Sequence, residues 1–253
     1  MTGVVALHGG GEFLPGDEAF LAALLDATRS GSGAVHVAIV PTAAARGRPD
    51  LAAANGVAAL ERAGVAAGRA VEASMVRVTD ASSAADPELA ARLAAADLIH
   101  LPGGDPDLIP RLYPGTPAWA AMRRALDGGA VLAGASAGAM ALAERTWTPG
   151  GPVDGLGLVP GCLVAPHADA EAWGRNLRRF AAGAALEVAV LGLAERTGVI
   201  GTVGGHADGS TAWRVVGEGE VRWLPAGETD PDRALVARAG DTLVVSAATA
   251  SLR

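Results

Sequence analysis

Five short apolar runs alternate with helical patterns over the first 145 residues, and this alternation limits the folds open to the chain. The runs, rich in Val, Ile and Leu, are Val4–His8, Val35–Val40, Met75–Val78, Leu98–Leu101 and Ala130–Ala133. The helical patterns are Asp17–Thr28, Pro49–Ala63, Pro87–Ala95, Pro117–Leu126 and Ala137–Arg145. Continuously apolar strands are typical of a parallel sheet covered on both faces by helices. The pattern therefore predicts an α/β fold with a doubly wound, mostly parallel sheet.

The last part of the chain has a different pattern. A helix is predicted over Ala170–Ala182, followed by short strands at Val188–Leu193, Gly198–Val203, Thr211–Val216, Glu220–Leu224 and Leu243–Ser246. Gly217-Glu218-Gly219 between two of these runs indicates a hairpin. We therefore expect a single domain over residues 1–253, with a core at about 3–205 and an antiparallel edge hairpin in a C-terminal extension, 206–253.

Composition excludes several classes of function. The net charge of −7 argues against a nucleic-acid or anionic-membrane partner. The sequence contains no lysine, which excludes a Walker-A phosphate loop and a Schiff-base mechanism. Cys162 is the only cysteine, so neither an internal disulfide nor a cysteine-based metal site can form. No stretch resembles a signal peptide or a membrane span, and we expect a cytoplasmic protein that needs no cofactor.

Ser136 lies at a junction between a predicted strand and a predicted helix. The surrounding residues, Gly134-Ala135-Ser136-Ala137-Gly138, match the G-x-S-x-G pattern of a nucleophile elbow. The small neighbours suit a sharp turn, and the following helix would direct free N–H groups at a reacting oxygen. The alternative is an ordinary strand–helix turn in a chain rich in Gly and Ala.

Two further glycine-rich segments follow predicted strands, at the sheet edge where function collects in open parallel sheets. They are His8-Gly9-Gly10-Gly11-Glu12 and Pro102-Gly103-Gly104-Asp105-Pro106. We expect Gly103-Gly104 to supply an oxyanion hole together with the amide of Ala137. Gly9–Gly11 either shape the same pocket or cradle a phosphate. Substrate-binding positions in these two segments are predicted at Gly10, Gly11, Gly103 and Asp105.

A nucleophilic serine needs a base, and histidine is the usual one. His167 follows an apolar run and precedes a helix, which places it at a strand end, and it is the preferred candidate. His206 is the alternative, while His8 and His100 could line the pocket.

The acid that orients the base is left open among Glu195, Asp154 and Asp169. His167-x-Asp169 and His206-x-Asp208 are the pairs that could form a metal site, but none is predicted.

Several motifs together carry a family resemblance over about residues 3–205. They are Gly9-Gly10-Gly11-Glu12, Pro41-Thr42-Ala43, Pro102-Gly103-Gly104-Asp105, Gly134-Ala135-Ser136-Ala137-Gly138-Ala139, Pro166-His167 and Gly192-Leu193-Ala194-Glu195. On these residues the chain resembles the dipeptidase E and cyanophycinase family of serine peptidases, within the class I glutamine amidotransferase-like fold.

The resemblance implies a flavodoxin-like sheet and a catalytic serine hydrolase site. Ser136 would be the nucleophile, His167 the base, and the amides of Gly104 and Ala137 the oxyanion hole. Glu195 matches the acidic position of the family, with Asp154 as the alternative. Family members cleave next to aspartate and hold the substrate carboxylate with arginines after the histidine, a role that would fall to Arg175, Arg178 or Arg179.

This chain departs from cyanophycinases at two positions and in its arginines, which lie further from His167 than theirs lie from the histidine. Pro106 replaces their glutamine and Ala168 replaces a frequent aromatic residue, so cyanophycin cleavage is not expected. Three hypotheses remain: a serine hydrolase of small peptides or amides, a non-catalytic binding or regulatory protein with this fold, and an α/β-hydrolase-type esterase. The expected partner is a small peptide or amide substrate, and a homo-oligomer is left open.

Overall fold

The computed structural model describes residues 3–29, 33–181, 187–204, 210–246 and 250–253. Up to the glycine-flanked serine the strands are β1 (Gly3–His8), β2 (Val35–Ile39), β3 (Val71–Met75), β4 (Leu98–Leu101) and β5 (Val131–Ala135). The helices of this part are α1 (Glu18–Ala27), α2 (Pro49–Ala66), α3 (Ala81–Ala85), α4 (Pro87–Ala94), α5 (Leu108–Leu112) and α6 (Pro117–Asp127).

The remainder of the described chain is mostly strand, with two helices. The helices are α7 (Ala137–Leu142) and α8 (Ala170–Ala181). The strands are β6 (Ala143–Thr148), β7 (Gly151–Asp154), β8 (Val159–Ala165), β9 (Ala189–Leu193), β10 (Thr197–Val203), β11 (Thr211–Gly217), β12 (Val221–Leu224), β13 (Leu235–Ala237), β14 (Thr242–Val245) and β15 (Ala250–Leu252).

These strands form two sheets. The larger has nine strands in the order β15-β14-β11-β10-β1-β5-β4-β2-β3, and the smaller has six in the order β13-β12-β9-β8-β6-β7. Within the larger sheet, the neighbouring strands β1, β5, β4, β2 and β3 all run parallel to one another. The carboxyl ends of β1, β4 and β5 therefore meet at one edge, and the three glycine-rich segments predicted to be functional follow these ends.

The prediction of a mostly parallel sheet is wrong. Among the described strands, six pairs are parallel and seven are antiparallel, and the sheets are mixed. A parallel neighbour requires a crossover of about a dozen residues. Only Ala194–Arg196 separate β9 from β10, and β10 runs antiparallel to β1. The described chain is thus α/β with a parallel centre and antiparallel additions.

The hairpin predicted at Gly217-Glu218-Gly219 is wrong, although the larger sheet does have an antiparallel C-terminal edge, where β14 pairs with β15. β11 pairs with β10 and β14 in the larger sheet, whereas β12 pairs with β9 and β13 in the smaller one. The Gly217-Glu218-Gly219 turn therefore carries the chain from one sheet to the other. The turn Ala194–Arg196 likewise joins β9 in the smaller sheet to β10 in the larger one. The two turns, 194–196 and 218–220, are hydrogen-bonded to each other, and we call them together the corner.

Two element boundaries differ from the prediction for physical reasons. The strand predicted at Met75–Val78 is β3, which lies earlier at the sheet edge and has an alternating half-buried pattern. The helix predicted to extend to Arg145 ends at Leu142. Ala143 is extended (φ −70°, ψ 172°), and the Thr-rich segment that follows forms β6.

Helices cover both faces of the parallel strands. One cluster of buried side chains joins α1 and α2 to alternate residues such as Ala6 and Ala133. A second joins α4 and α6 to the intervening residues, such as Leu7 and Leu132, and continues into the smaller sheet. No helix in the described part of the chain has the length and apolar character that crossing a membrane requires.

Candidate active site

Ser136 lies between β5 and α7 with backbone angles of φ 48° and ψ −114°. A positive φ is rare for a residue with a side chain and marks a sharp, strained turn. Neighbouring backbone approaches closely: a methyl group on Gly138 would lie 2.0 Å from the carbonyl oxygen of Leu101, and one on Gly134 would lie 2.5 Å from the carbonyl carbon of Gly138. The small residues around the serine are therefore a steric requirement of the junction.

His167 follows β8 and is held by its backbone. Its N–H donates to the carbonyl of Gly9 at 2.8 Å, and the side-chain amide of Asn176 on α8 donates to its carbonyl at 2.8 Å. The imidazole Nε2 lies 3.0 Å from the Oγ of Ser136. Gly10 passes beneath the ring, where a methyl group would lie 2.3 Å from Cε1. These contacts fix the ring within hydrogen-bond reach of the serine hydroxyl.

Glu195 completes a chain of three polar side chains. Its Oε1 lies 3.0 Å from Nδ1 of His167, and its backbone N–H donates to Oδ1 of Asp169 at 3.4 Å. A proton on Nδ1 directed at this carboxylate leaves the Nε2 lone pair facing the serine. The alternative acid, Asp154, lies on β7 and is paired with Arg145. The structure therefore brings Glu195, and not Asp154, to the imidazole.

The loop from Gly103 to Asp105 borders the serine with backbone N–H groups. The Gly103 amide donates to Oε1 of Glu12 at 2.8 Å, and the Asp105 amide donates to the carbonyl of Ala43 at 2.7 Å. Between them, Gly104 (φ +150°) lines the same cavity as Ser136 and Ala137. Gly104 and Ala137 thus both border the cavity at Ser136, one from the loop and one from the start of α7.

A cavity of about 280 Å³ opens at the serine. Its lining residues are Gly104, Pro106, Ser136, Ala137, Met140, Trp147, Pro166, His167, Asn176 and Arg179. The Arg179 guanidinium lies 4.2 Å from the centre of the Trp147 ring. A cation held flat on an aromatic face in this way is attracted by the ring and is placed to receive an anion.

Comparison with known proteins now decides the family. Residues 5–205 match the model of peptidase family S51, which covers most of the chain. The chain belongs to peptidase family S51. It is a serine peptidase, and the resemblance to the dipeptidase E family noted in the sequence is confirmed. Among curated proteins, none is significantly similar to this S51 peptidase.

Two solved structures share its fold. A crystal structure of a peptidase from an acI-B1 actinobacterium is 24% identical, with a TM-score of 0.75 and 96% of each chain covered. The structure of a putative peptidase E protein from Listeria monocytogenes EGD-e is 16% identical, with a TM-score of 0.56, covering 81% of this chain and 96% of that one. At these identities the likeness is one of fold.

The remaining predicted substrate-site residues of this S51 peptidase are spread around the serine. A methyl group on Gly11 would lie 3.4 Å from Oε2 of Glu195, so Gly11 is beside the Glu195 carboxylate. Asp105 is paired with Arg46 at 3.1 Å, so its carboxylate already has a cation. Arg175 donates to the carbonyl of Glu171, and neither it nor Arg178 lines the cavity around Ser136. Arg179 is the arginine that does.

Two further histidines and the cysteine have buried side chains. His8 and His100 are buried, and His8 is paired with Asp17 at 2.9 Å. His206 lies outside the described residues. Burial, with a smaller contribution from the nearby Glu144, raises the pKa of the Cys162 thiol to about 12, so the thiol stays protonated at neutral pH. Within the described ranges, no group of three or more His, Cys, Asp or Glu side chains could hold a metal ion.

Sequence reasoning missed Glu12, Trp147 and Asn176. Glu12 belongs to a segment that the sequence did single out, but the acceptor role of its side chain gave no local signal. Trp147 lies on β6, a strand that the sequence analysis did not predict. Asn176 lies nine residues after His167, and only the helical spacing of α8 places it back against the histidine carbonyl.

Proposed function

We propose that this S51 peptidase hydrolyses amide bonds of short, carboxylate-bearing peptides through an acyl-enzyme on Ser136. The observation that carries the proposal is the continuous chain Ser136 Oγ–His167 Nε2 and His167 Nδ1–Glu195 Oε1, with both distances at 3.0 Å. This is the arrangement in which a histidine can take a proton from serine while a carboxylate stabilises the resulting imidazolium.

In the first half of the reaction, the Oγ of Ser136 attacks the scissile carbonyl carbon as its proton passes to Nε2 of His167. The carbonyl oxygen becomes an oxyanion that accepts hydrogen bonds from the amides of Gly104 and Ala137. Collapse of this intermediate breaks the C–N bond, and His167 returns the proton to the leaving amine. In the second half, His167 takes a proton from water, the hydroxide attacks the ester, and Ser136 is released with its proton.

The cavity supports the proposed substrate class. Its volume of about 280 Å³ lies at the lower end of small-molecule sites, which suits one or two residues better than a long chain. Arg179 supplies a guanidinium that can bind a carboxylate in bidentate geometry. We therefore expect the substrate to carry a carboxylate, from an acidic side chain or from the peptide C-terminus, close to the scissile bond.

The test compares wild type, Ser136→Ala and Ser82→Ala on a panel of Asp-X and matched Asn-X dipeptides, each with a free and an amidated C-terminus. Released amine is measured. Wild type should cleave the carboxylate-bearing members fastest, Ser136→Ala should lose at least about a thousandfold in kcat, and the exposed Ser82→Ala should be unaffected. A wild type that binds peptides without cleaving any, and a Ser136→Ala variant that binds them equally well, would favour the non-catalytic binding protein instead.

A further inference from the structure

Glu12 is a half-buried carboxylate beside Ser136 for which the proposed chemistry has no use. Its Oε1 accepts a hydrogen bond from the Gly103 amide at 2.8 Å, across 91 residues of sequence. A methyl group built on Gly103 would lie 3.0 Å from this oxygen and 3.5 Å from the Oγ of Ser136. The carboxylate is therefore a near neighbour of the nucleophile as well as of the loop.

Three successive residues of this loop use their amides in different ways. The Gly103 amide donates to Glu12, and the Asp105 amide donates to the carbonyl of Ala43. Among the hydrogen bonds of the described residues, none is donated by the amide of Gly104, which lies between Gly103 and Asp105. Because Gly104 lines the cavity with Ser136, its amide is the one left for a ligand.

The loop needs such a restraint because it contains two consecutive glycines. Glycine has access to far more backbone conformations than other residues, so the Gly103–Gly104 peptide can rotate unless something holds it. On the far side, a methyl group on Gly104 would lie 2.2 Å from the carbonyl oxygen of Ala43, which excludes any larger residue. On the near side, the N–H of the Pro102–Gly103 peptide donates to Oε1 of Glu12, which restrains the chain just before the Gly103–Gly104 peptide.

The charge of Glu12 is unsuited to direct catalysis at this position. A carboxylate close to a developing oxyanion repels it, since like charges a few ångströms apart interact unfavourably. The Gly103 amide requires an acceptor oxygen on a side chain long enough to reach it. The length and the acceptor oxygen of the side chain, not its charge, are therefore the properties that the site uses.

We propose that Glu12 is a positioning residue: it holds the Pro102–Gly103 peptide through the Gly103 N–H, and so fixes the near end of the Gly103–Gly104 peptide with the Gly104 amide facing the oxyanion on Ser136. The inference rests on the proposed function, because it assigns a role within the same oxyanion hole. It implies that a neutral side chain of the same length can replace Glu12, whereas a shorter side chain that keeps the charge cannot.

The experiment compares Glu12→Gln, Glu12→Asp and a control, Glu18→Gln. Glu18 is an exposed carboxylate of the same chain region that also accepts a backbone amide, from Gly16 at 2.9 Å. For each variant, kcat and KM are measured on the best dipeptide, together with the second-order rate of Ser136 phosphonylation by a fluorophosphonate. The phosphonylation rate reports on the oxyanion hole and does not depend on peptide recognition.

We expect Glu12→Gln and Glu18→Gln to stay within about threefold of wild type in kcat and phosphonylation rate. Glu12→Asp should fall by about ten- to a hundredfold in both with KM little changed, somewhat less than the loss of a whole oxyanion-hole donor. If Glu12→Asp does not fold, Glu12→Gln decides alone: a wild-type phosphonylation rate supports the positioning role, and a tenfold or greater loss overturns it.

Three other outcomes overturn the inference, and they distinguish a failure of the inference from a failure of the proposed function. If Glu12→Asp matches wild type, or if Glu12→Gln raises KM for free dipeptides but not for N-acetylated ones, Glu12 acts through its charge on the substrate and the peptidase proposal stands. If wild type neither cleaves peptides nor reacts with the fluorophosphonate, the proposed function itself fails, and the role of Glu12 fails with it.

Discussion

At the scale of single residues, the arrangement around His167 turns on which nitrogen carries the proton. Nδ1 faces Glu195 and Nε2 faces Ser136, so a carboxylate at position 195 selects the tautomer that can accept the serine proton. The side chains of His167 and Glu195 are 47% and 42% exposed, so the acid works in contact with solvent. Orientation and tautomer choice, more than the strength of a buried ion pair, are what it can supply.

Glu195→Gln should therefore lower kcat by about a hundred- to ten-thousandfold, with a smaller effect on KM. The amide can donate a hydrogen bond to Nδ1, which favours the tautomer with its proton on Nε2 and blocks proton transfer from Ser136. The measurement is steady-state hydrolysis of the best dipeptide at neutral pH. Asp154→Asn is the matched control, because the Asp154 carboxylate is 85% exposed and paired with Arg145.

The opposite result would reassign the acid. A Glu195→Gln enzyme with near wild-type kcat, beside an Asp154→Asn enzyme that has lost it, would mean that the imidazole turns away from Glu195 during the reaction. Loss in neither variant would mean that His167 needs no carboxylate. Thermal unfolding of both variants separates a catalytic effect from a loss of fold.

At the scale of elements, the corner at which the chain changes sheets carries the acid. The Ala194 amide donates to the carbonyl of Glu220, and the Gly219 amide donates to the Oγ1 of Thr197 at 2.7 Å. The same hydroxyl donates to the carbonyl of Glu195 at 3.1 Å. One threonine thus ties together the two chain segments that cross between sheets, and Glu195 projects from one of them.

Thr197→Val should destabilise the protein by about 1–3 kcal/mol and also lower kcat. The substitution keeps the shape of the side chain but leaves the Gly219 amide and the Glu195 carbonyl without their partner in a buried corner. Urea unfolding and peptide hydrolysis are measured on the same preparations. Thr202→Val, an identical change at an exposed position of β10, should stay within about 0.5 kcal/mol.

An unchanged kcat in a destabilised Thr197→Val protein would show that the corner supports the fold but not the position of Glu195. Unchanged stability would mean that water replaces the hydroxyl, and that the corner is open enough to admit it.

The limits of sequence reasoning are clearest at this scale. The strands β1, β2, β4 and β5 were predicted because buried parallel strands are continuously apolar. A Gly-x-Gly turn, however, serves a hairpin and a sheet change equally well, since both need a sharp reversal with positive φ at glycine. The pairing of β12 with β9 and β13 decides between a hairpin and a sheet change, and these partners lie outside the local sequence of the turn.

The same distinction applies to the site. Ser136 could be singled out because it follows a strand end within a recognisable motif, and His167 because it follows an apolar run and the serine upstream calls for a base. Their neighbours Glu12 and Asn176 act through contacts that no local pattern encodes. The Glu12 contact spans 91 residues and becomes visible only when β1 and β4 are brought to the same sheet edge.

At the scale of the whole molecule, a buried histidine makes the stability of the fold depend on pH. His100, on β4, lies beneath the loop that follows β1, with its ring 4.9 Å from that of Phe13. Its Nδ1 is buried, and the described residues offer it no hydrogen-bond partner. Burial, with a smaller contribution from the neighbouring His8, lowers the pKa of His100 to about 3. The folded protein therefore holds this imidazole in its neutral form.

The consequence is a loss of stability in acid. Because the unfolded chain binds a proton at the ordinary pKa of 6.5 and the folded chain only near 3, the contribution of His100 is complete above pH 6.5 and is lost as the pH falls towards 3. Each pH unit below 6.5 costs about 1.4 kcal/mol, which makes about 2 kcal/mol at pH 5. Carboxylates that titrate lower add to the loss only at more acidic pH.

The His100→Leu variant isolates the contribution of His100 to the loss of stability in acid. Measured by urea unfolding, the variant should be less stable than wild type at pH 7, where both side chains are neutral and the difference is one of packing. Between pH 7 and pH 5 wild type should lose about 2 kcal/mol more than the variant, so the two stability curves converge or cross. Parallel curves over this range would mean that His100 is already protonated in the fold or reaches water when protonated. The space between the loop and β4 would then be an open channel to the base of the site instead of a closed core.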